Sequence, residues 1–360
     1  MRIAVLGVGL IGGSIGLAAR ARLEGADVAG FDPDGELLER ARELGAIDSA
    51  HGSVAEAVSG AELVFCAAPV AALPELAAAA LAAAGEETAV TDVGSVKRPA
   101  IAALGDEPRF VGGHPIAGAE TAGVEHSRAD LFEGARWYLT PTARTGGVIY
   151  DRVQRIVAEL GARPQAIDAG EHDRLLATVS HLPHVLADVL VAQASEGLAD
   201  EDERLPEVGP SFRDATRVAG ANPAIWGDIL TGNSEAVAGQ VEAIAGRLDE
   251  VARLLRSGDR ERIGAWHAEA AARRRALLEA ELEGGPLTEL RVWVPNRPGI
   301  VAEIALALGR GGVNIEDMGL HPAEDMRSGA ISIYVAGDDE AERAASLIRE
   351  LGHDVSPVTR

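Results

Sequence analysis

The sequence predicts an α/β protein built from a doubly wound parallel sheet, an all-helical second domain and a small domain with βαββαβ order. Three observations support this. Short β-branched runs alternate with Ala- and Leu-rich runs over the first 165 residues, strand signals are absent from Glu171 to about Glu283, and a mixed pattern returns after a Gly-Gly-Pro stretch at 284–286. We therefore expect domains at 1–165, 166–284 and 287–360.

Strands are expected wherever β-branched and aromatic residues cluster between turn residues. In the first domain these runs are RIAVLG (2–7), DVAGFD (27–32), ELVFCAA (62–68), TAVTDV (88–93), RFVGG (109–113) and RWYLTP (136–141). In the last domain they are LRVWVP (290–295), NIEDMGL (314–320), AISIYVAG (330–337) and HDVSPV (353–358), with helices at 299–310 and 338–351.

The first strand runs into GVGLIGG, which contains the pattern GxGxxG. Gly7 permits the tight turn, Gly9 permits close approach of a pyrophosphate, and Gly12 permits close packing of helix and strand. Asp32 ends the second strand and favours NAD over NADP, because its carboxylate accepts hydrogen bonds from ribose hydroxyls and repels a 2′-phosphate. The alternative is a glycine-rich turn with a solvated aspartate. We also assign to this cofactor site Leu10 and Ile11 within the turn, Ala68 and Pro69 after the third strand, and Ser95.

A second group of polar residues lies at the ends of the next two strands. Ser95 and Lys97 stand in TDVGSVK, and His114 stands in VGGHPIAG. Ligands of open α/β sheets bind at the carboxyl ends of the strands, where histidine can accept a proton near neutral pH. A structural hydrogen bond is the alternative for His114. Lys97 is the only lysine in the chain, which indicates a need for a compact ammonium where a planar guanidinium would not fit; chance is the alternative.

The helical domain contributes SHLPH (180–184) and FRDATR (212–217). His181 and His184 lie on one helix face around Pro183, but no closing cysteine and no HExxH pattern accompany them, so we predict no metal. Arg213 and Arg217 are like charges four residues apart, an arrangement that mildly destabilises a bare helix and is tolerable if one of them faces an anionic ligand. Two arginines solvated at the surface are the alternative.

Composition excludes several classes of partner. The formal net charge is -23 and no basic run is present, which argues against nucleic acid and anionic membrane surfaces. Cys66 is the only cysteine, so a disulfide or CxxC site is excluded and a reducing cytoplasm is expected. The uncharged run 3–19 fits a phosphate-binding turn better than a signal segment, and no other segment is expected to span a membrane.

Several motifs together resemble the prephenate dehydrogenase family over residues 1 to about 280. They are GVGLIGGS, TDVGSVK, GGHPIAGAE, the LF-G-R-W-LTP run (131–141), SHLPH and FRDATRVAGANPAIW. The resemblance implies NAD-dependent oxidative decarboxylation of prephenate to 4-hydroxyphenylpyruvate. It implies that His114 polarises or deprotonates the C4 hydroxyl of the substrate, while Ser95 bonds that hydroxyl and orients His114. By the same resemblance the substrate pocket contains His184, Arg217, Trp226 and Glu120, and we add Lys97.

The tail resembles an ACT domain through its NRPG turn (296–299) and GGVNIEDM (311–318). This resemblance implies an amino-acid effector near Gly299 and Asn314, and we expect tyrosine to inhibit; a purely oligomerising tail is the alternative. The long apolar helices of the second domain indicate a homodimer.

Three other functions are consistent with parts of the pattern. Arogenate dehydrogenase has the same chemistry and is not separated by the sequence. A β-hydroxyacid dehydrogenase relies on a lysine in its helical half, which this chain lacks. A non-enzymatic, NAD-linked amino-acid sensor would leave Ser95, His114 and Arg217 without a shared purpose.

Overall fold

The computed structural model describes residues 1–118, 121, 123–197, 208–279, 287–295, 297, 299–323 and 328–357. Its internal contacts divide the chain into two units, Met1–Arg247 and Leu248–Arg360. The predicted three-domain boundaries at 165 and 284 stay predictions, and the Gly-Gly-Pro stretch at 284–286 lies outside the described residues.

Within the described residues, eight strands of the first unit form one sheet in the order β3-β2-β1-β4-β5-β6-β7-β8. The strands are β1 (Arg2–Leu6), β2 (Asp27–Phe31), β3 (Ser49–Ala50), β4 (Leu63–Cys66), β5 (Ala89–Asp92), β6 (Phe110–Pro115), β7 (Arg136–Thr140) and β8 (Arg163–Ala166). The order reverses between β1 and β4, which is the point where doubly wound sheets bind ligands. The six predicted strands are all present.

Helices cover both faces of this sheet. They are α1 (Leu10–Arg22), α2 (Gly35–Glu43), α3 (Val54–Val58), α4 (Leu73–Ala83), α5 (Arg98–Leu104) and α6 (Gly147–Glu159). Alternate residues of β1 point to opposite faces, so that Ile3 and Val5 join one buried cluster, and Ala4 and Leu6 join the other. Burial on both faces explains why the strand reads as a continuous apolar run.

The doubly wound α/β fold is confirmed, with one difference at the edge of the site. The sheet is parallel from β3 to β6, but β7 runs antiparallel to β6, with His114 opposite Tyr138. The described part of the 116–135 connection holds a short 3-10 helix, Val124–His126, and no crossover helix, so the chain returns beside β6 in the opposite direction. Since β6 pairs with β5 only at Phe110 and Val111, His114 lies within a strand that extends past its parallel neighbour.

Helices follow in the remainder of the first unit, as the sequence predicted. They are α7 (Ala169–Leu176), α8 (Leu182–Gly197), α9 (Pro210–Thr216), α10 (Pro223–Gly232) and α11 (Ser234–Ser257), the last reaching into the second unit. A π-helical turn, Ala177–His181, joins α7 to α8 immediately before Pro183. Proline lacks the amide that would continue the α-helical ladder, and π-helical turns are frequent at functional sites.

One stretch of these described helices, Ala169–Glu196, is long and apolar enough to cross a membrane by length and composition alone. The stretch carries buried polar side chains at His172, Asp173 and His181, which belong to the site described below rather than to a lipid-facing helix.

The second unit contains a helix followed by a four-stranded antiparallel sheet in the order β10-β11-β9-β12. Its elements are α12 (Arg260–Glu279), β9 (Leu287–Pro295), α13 (Ile300–Arg310), β10 (Asp317–Pro322), β11 (Ser328–Ala336), α14 (Asp338–Glu350) and β12 (Asp354–Pro357). The buried face of the sheet packs on α13 and α14 through residues such as Val292, Ile304, Ile331 and Ile348. The predicted βαββαβ order is confirmed.

Candidate active site

The glycine-rich turn between β1 and α1 has the shape that a dinucleotide requires. Gly7 has a φ of +96°, and a Cβ there would collide with the carbonyl oxygen of Ala67. A Cβ on Gly12 would collide with the Gly7 carbonyl oxygen, whereas a Cβ on Gly9 would meet no protein atom within 4 Å. The first and third glycines therefore serve the fold, and the open space at Gly9, the N-cap of α1, is left for a phosphate group.

Asp32 is fixed beside this turn, directly after β2. Its Oδ2 accepts the amide of Val8 at 3.0 Å and its Oδ1 accepts the amide of Asp34 at 2.9 Å. A half-buried carboxylate held at this position fits the ribose of NAD and disfavours a 2′-phosphate. The open space and the fixed carboxylate together match the cofactor that the sequence predicted.

The other residues predicted for the cofactor lie around the same turn or at the neighbouring strand end. Leu10 and Ile11 open α1 and are half-buried, Ala68 and Pro69 follow β4 across the switch point, and Ser95 follows β5. Their contacts with NAD stay predictions.

His114 is 8% exposed on β6, and its Nδ1 lies 2.9 Å from Nε2 of His172. Burial lowers the pKa of His114 well below 6.5, and the ammonium of Lys97 lowers it further. The ring is consequently a neutral imidazole at neutral pH, which is the form that accepts a proton.

Lys97 lies in a closed, buried site, and its predicted contact with substrate stays a prediction. Its side chain is 0% exposed, and its ammonium forms an ion pair with the carboxylate of Asp92 and donates to the carbonyl oxygen of Gly113 at 2.6 Å. Asp92 also accepts the amides of Gly94 and Gly113 at 2.9 and 3.0 Å. Lys97 therefore fixes the backbone directly before His114, and the compact ammonium suits a closed site of this size.

Ser95 is partly buried after β5, and in the described part of the chain no hydrogen bond joins it to His114. The residue that does contact the ring is His172, which was not predicted from the sequence, and neither was its neighbour Asp173. Both lie in α7 and are 0% and 1% exposed. Adjacent His and Asp at the start of a helix are an unremarkable pattern, so the fold rather than the sequence reveals them.

The predicted substrate-binding residues of the helical region come together around one indole. The ring of His184 stacks on Trp226 with centroids 3.4 Å apart, and His181 meets the same ring edge-on at 5.9 Å. Burial lowers the pKa of His184, Asp188 opposes that shift, and the charge of Arg217 reinforces it. Arg217 is exposed at the start of a 3-10 helix, Arg217–Gly220.

The sequence also singled out Arg213, His181 and Glu120. Arg213 is exposed and its Nη2 donates to the Val208 carbonyl at 2.9 Å, as a surface residue would. His181 is buried against Asn233, and burial lowers its pKa to about 4. Glu120 lies outside the described residues.

Gly299 and Asn314, the residues predicted to meet an effector, belong to the second unit. Gly299 has a φ of +87° and caps α13, and the Nδ2 of Asn314 donates to Oε1 of Glu316 at 2.7 Å. Their binding role stays a prediction. Among the described residues, no group of three or more His, Cys, Asp or Glu side chains is arranged to hold a metal ion.

The first unit combines a glycine-rich βα turn and its ribose-selecting carboxylate with a buried neutral imidazole on the same sheet. These features define an NAD-dependent dehydrogenase. Residues 15–165 match the model for the nucleotide-binding domain of prephenate dehydrogenase, residues 168–269 match its dimerization domain, and residues 288–353 match the ACT domain. The chain belongs to the prephenate dehydrogenase family.

Individual relatives agree with this assignment. Prephenate dehydrogenase of Bacillus subtilis (strain 168) is 31% identical over 357 residues, which cover 96% of this chain and 95% of that protein. A crystal structure of the Aquifex aeolicus prephenate dehydrogenase with hydroxyphenyl propionate and NAD+ has a TM-score of 0.72 at 30% identity and covers 77% of this chain and 98% of that one. Synechocystis arogenate dehydrogenase has a TM-score of 0.67 at 27% identity, with 76% and 99% covered.

Proposed function

We propose that this enzyme is a prephenate dehydrogenase, which oxidatively decarboxylates prephenate to 4-hydroxyphenylpyruvate and reduces NAD+ to NADH. The observation that carries the proposal is the buried, neutral imidazole of His114 on the strand that extends beyond β5, because the reaction requires a group that removes the C4 hydroxyl proton. The similarity to the Bacillus subtilis enzyme supports it over nearly the whole chain.

NAD, when bound, supplies the acceptor for the C4 hydride. The cofactor-binding set that we propose is Gly7, Gly9, Leu10, Ile11, Gly12, Asp32, Ala68, Pro69 and Ser95. Of these, Gly9 leaves the space for phosphate and Asp32 bonds the ribose hydroxyls.

His114 takes the hydroxyl proton while its backbone is held through the bond from Lys97 to Gly113. Ser95 is proposed to bond the same hydroxyl. Because loss of carbon dioxide makes the ring aromatic, the enzyme has to align C4 and remove one proton rather than generate a strong nucleophile.

The substrate is a dianion, whereas the protein carries a formal net charge of -23. A local cation is therefore required, and Arg217 offers a guanidinium that bonds a carboxylate through two parallel hydrogen bonds. His184 and Trp226 form the adjacent stacked surface, and Glu120 is proposed to line the same pocket.

Arogenate dehydrogenase is the second candidate, because the Synechocystis relative bears that name at 27% identity. The two reactions differ only in an amino or keto group on the side chain of the substrate. NADH production by the purified enzyme with prephenate and, separately, with arogenate distinguishes them: kcat/KM at least tenfold higher with prephenate is expected, and the reverse order would assign arogenate.

Regulation and assembly complete the proposal. The ACT domain is proposed to bind tyrosine as a feedback inhibitor near Gly299 and Asn314, and the helical region is proposed to form a homodimer. Exposed apolar side chains on α8, at Val189, Leu190 and Val191, give a second copy a surface to cover. A cytoplasmic location fits the single cysteine, which is buried as a free thiol.

Two measurements test these points. Tyrosine should inhibit NADH production by the parent, and Asn314→Ala should weaken that inhibition without changing the uninhibited rate; an unchanged response would place the effector elsewhere. Light scattering should give twice the 37.3 kDa chain mass, and a mass of one chain would exclude the dimer.

A further inference from the structure

His114 is the first member of a row of three hydrogen-bonded side chains. Its Nδ1 lies 2.9 Å from Nε2 of His172, and Nδ1 of His172 lies 2.8 Å from Oδ1 of Asp173. The three side chains come from β6 and α7 and are 8%, 0% and 1% exposed. The ring of Tyr138 packs edge-on against His172 at 5.6 Å, so the row is enclosed as well as bonded.

The position of every proton in this row follows from Asp173. Its Oδ1 accepts the amide of Lys97 at 2.8 Å and its Oδ2 accepts the amide of Arg98 at 2.9 Å. Backbone N–H donors on both oxygens stabilise the ionised carboxylate. Nδ1 of His172 must then donate to it, and in the neutral form of His172 its Nε2 is left as an acceptor.

The assignment continues into the catalytic ring. Since Nε2 of His172 accepts, Nδ1 of His114 has to donate, and the single proton of neutral His114 is therefore on Nδ1. Nε2 of His114 is left bare. A bare ring nitrogen is the atom that takes a proton from a hydroxyl group, whereas the opposite tautomer would present an N–H donor there.

We propose that His172 and Asp173 are positioning residues that hold His114 in the tautomer with a bare Nε2 and stabilise the imidazolium that forms when it accepts a proton. The proposal rests on the proposed function, which identifies the accepted proton as that of the C4 hydroxyl of the substrate. In the step, the O–H bond of the substrate hydroxyl breaks and an N–H bond forms at Nε2, while the proton on Nδ1 stays in the bond to His172.

Stabilisation of the imidazolium is needed because the surroundings of His114 oppose it. The ring is buried and lies near the ammonium of Lys97, both of which lower its pKa, and the carboxylate of Asp92 is already paired with Lys97. The carboxylate that stabilises the imidazolium is Asp173, which lies at the other end of the hydrogen-bonded row from His114. Asn233 holds its backbone, since Nδ2 of Asn233 donates to the Asp173 carbonyl at 2.8 Å.

The tautomer is tested directly by the ¹⁵N chemical shifts of the histidine rings in the full-length protein, without any turnover. We expect a protonated Nδ1 and a bare Nε2 for His114 in the parent at neutral pH, and loss of that single form in His172→Leu. A parent spectrum with the proton on Nε2 of His114 would overturn the proposal, and this outcome needs no variant to fold.

Two substitutions separate positioning from packing. His172→Leu fills the space without an acceptor, whereas His172→Gln places an amide oxygen near the former Nε2 and can still accept from His114. We expect kcat to fall about 100-fold in His172→Leu and to stay within about tenfold of the parent in His172→Gln. KM should be unchanged in both variants. His126→Gln, an exposed histidine in the 116–135 connection, is the matched control and should match the parent.

The outcome that overturns this proposal differs from the outcome that overturns the proposed function. A parental kcat in His172→Leu, or an equal loss in both variants with the His114 shifts unchanged, would overturn the proposal. If the parent oxidises neither prephenate nor arogenate, the proposed function fails, yet the ¹⁵N spectrum still decides the tautomer of His114 independently.

Discussion

The buried pair of Lys97 and Asp92 allows a test of whether this lysine holds the fold or binds substrate. Lys97→Met removes an ammonium that is 0% exposed and leaves the carboxylate of Asp92, also 0% exposed, without its cation. Removing one member of a buried ion pair costs about 3–5 kcal/mol. Because the amides of Gly94 and Gly113 still donate to Asp92, we expect the lower end of that range, about 3 kcal/mol.

Thermal unfolding measures this loss. The first unit is Met1–Arg247, and for a unit of that size each kcal/mol lowers Tm by about 2–4 °C, so Lys97→Met should melt about 6–12 °C below the parent. Asp92→Asn combined with Lys97→Met removes both charges and should recover part of the loss, with a coupling free energy of about 1–3 kcal/mol.

The control is the neighbouring Arg98→Met, which removes an exposed cation and should change stability by less than about 0.5 kcal/mol. If Lys97→Met melts with the parent but raises KM for prephenate, the lysine binds substrate as the sequence alone suggested. The structural interpretation of the ion pair would then be wrong.

Three further outcomes are expected. Gly7→Ala should lower Tm, because its Cβ meets the Ala67 carbonyl at a φ of +96°. Gly9→Ala should leave Tm unchanged and raise KM for NAD about tenfold or more. Equal losses of Tm in the two variants would refute the different roles of these glycines. Arg217→Ala should raise KM for prephenate about 10- to 100-fold with little change in kcat, and Arg213→Ala should change neither; a fall in kcat alone would contradict a binding role. Because the pKa of His114 lies well below 6.5 and only the neutral ring accepts a proton, kcat/KM should stay level as the pH is lowered through 6.5. The Tm should decline below pH 6.5, because the histidine of the unfolded chain binds a proton there that the native ring does not bind. A loss of kcat/KM centred at pH 6.5 would contradict the burial of the base.

Much of the fold could be predicted from the sequence because local patterns match local structure. The six predicted strands of the first unit are present, and Gly7 and Gly12 have the turn and packing roles expected of them. Two strands were missed for physical reasons: β3 contains two residues, and β8 (Arg163–Ala166) is a largely exposed edge strand with a proline and therefore lacks the apolar run of a central strand.

The antiparallel turn of β7 could not be predicted, because β6 and β7 have the composition of ordinary strands and only the path of the connection between them sets their direction. His114 lies on this pair, opposite Tyr138, so the sequence located the residue but not its surroundings.

The candidate site was predicted where motifs are contiguous and missed where contacts are distant in the chain. His114 and His172 are 58 residues apart, and Lys97 and Asp173 are 76 apart. At Lys97 the sequence shows only that the residue is the chain's single lysine, whereas the fold shows that its ammonium bonds Asp92 and Gly113.

The central claim is that His114 is the base of an NAD-dependent oxidation of prephenate. The most direct test is the steady-state rate of NADH formation by His114→Asn, with the exposed His126→Asn as control. We expect kcat about 10²- to 10⁴-fold below the parent with little change in KM for prephenate. A kcat equal to that of the parent would contradict the claim.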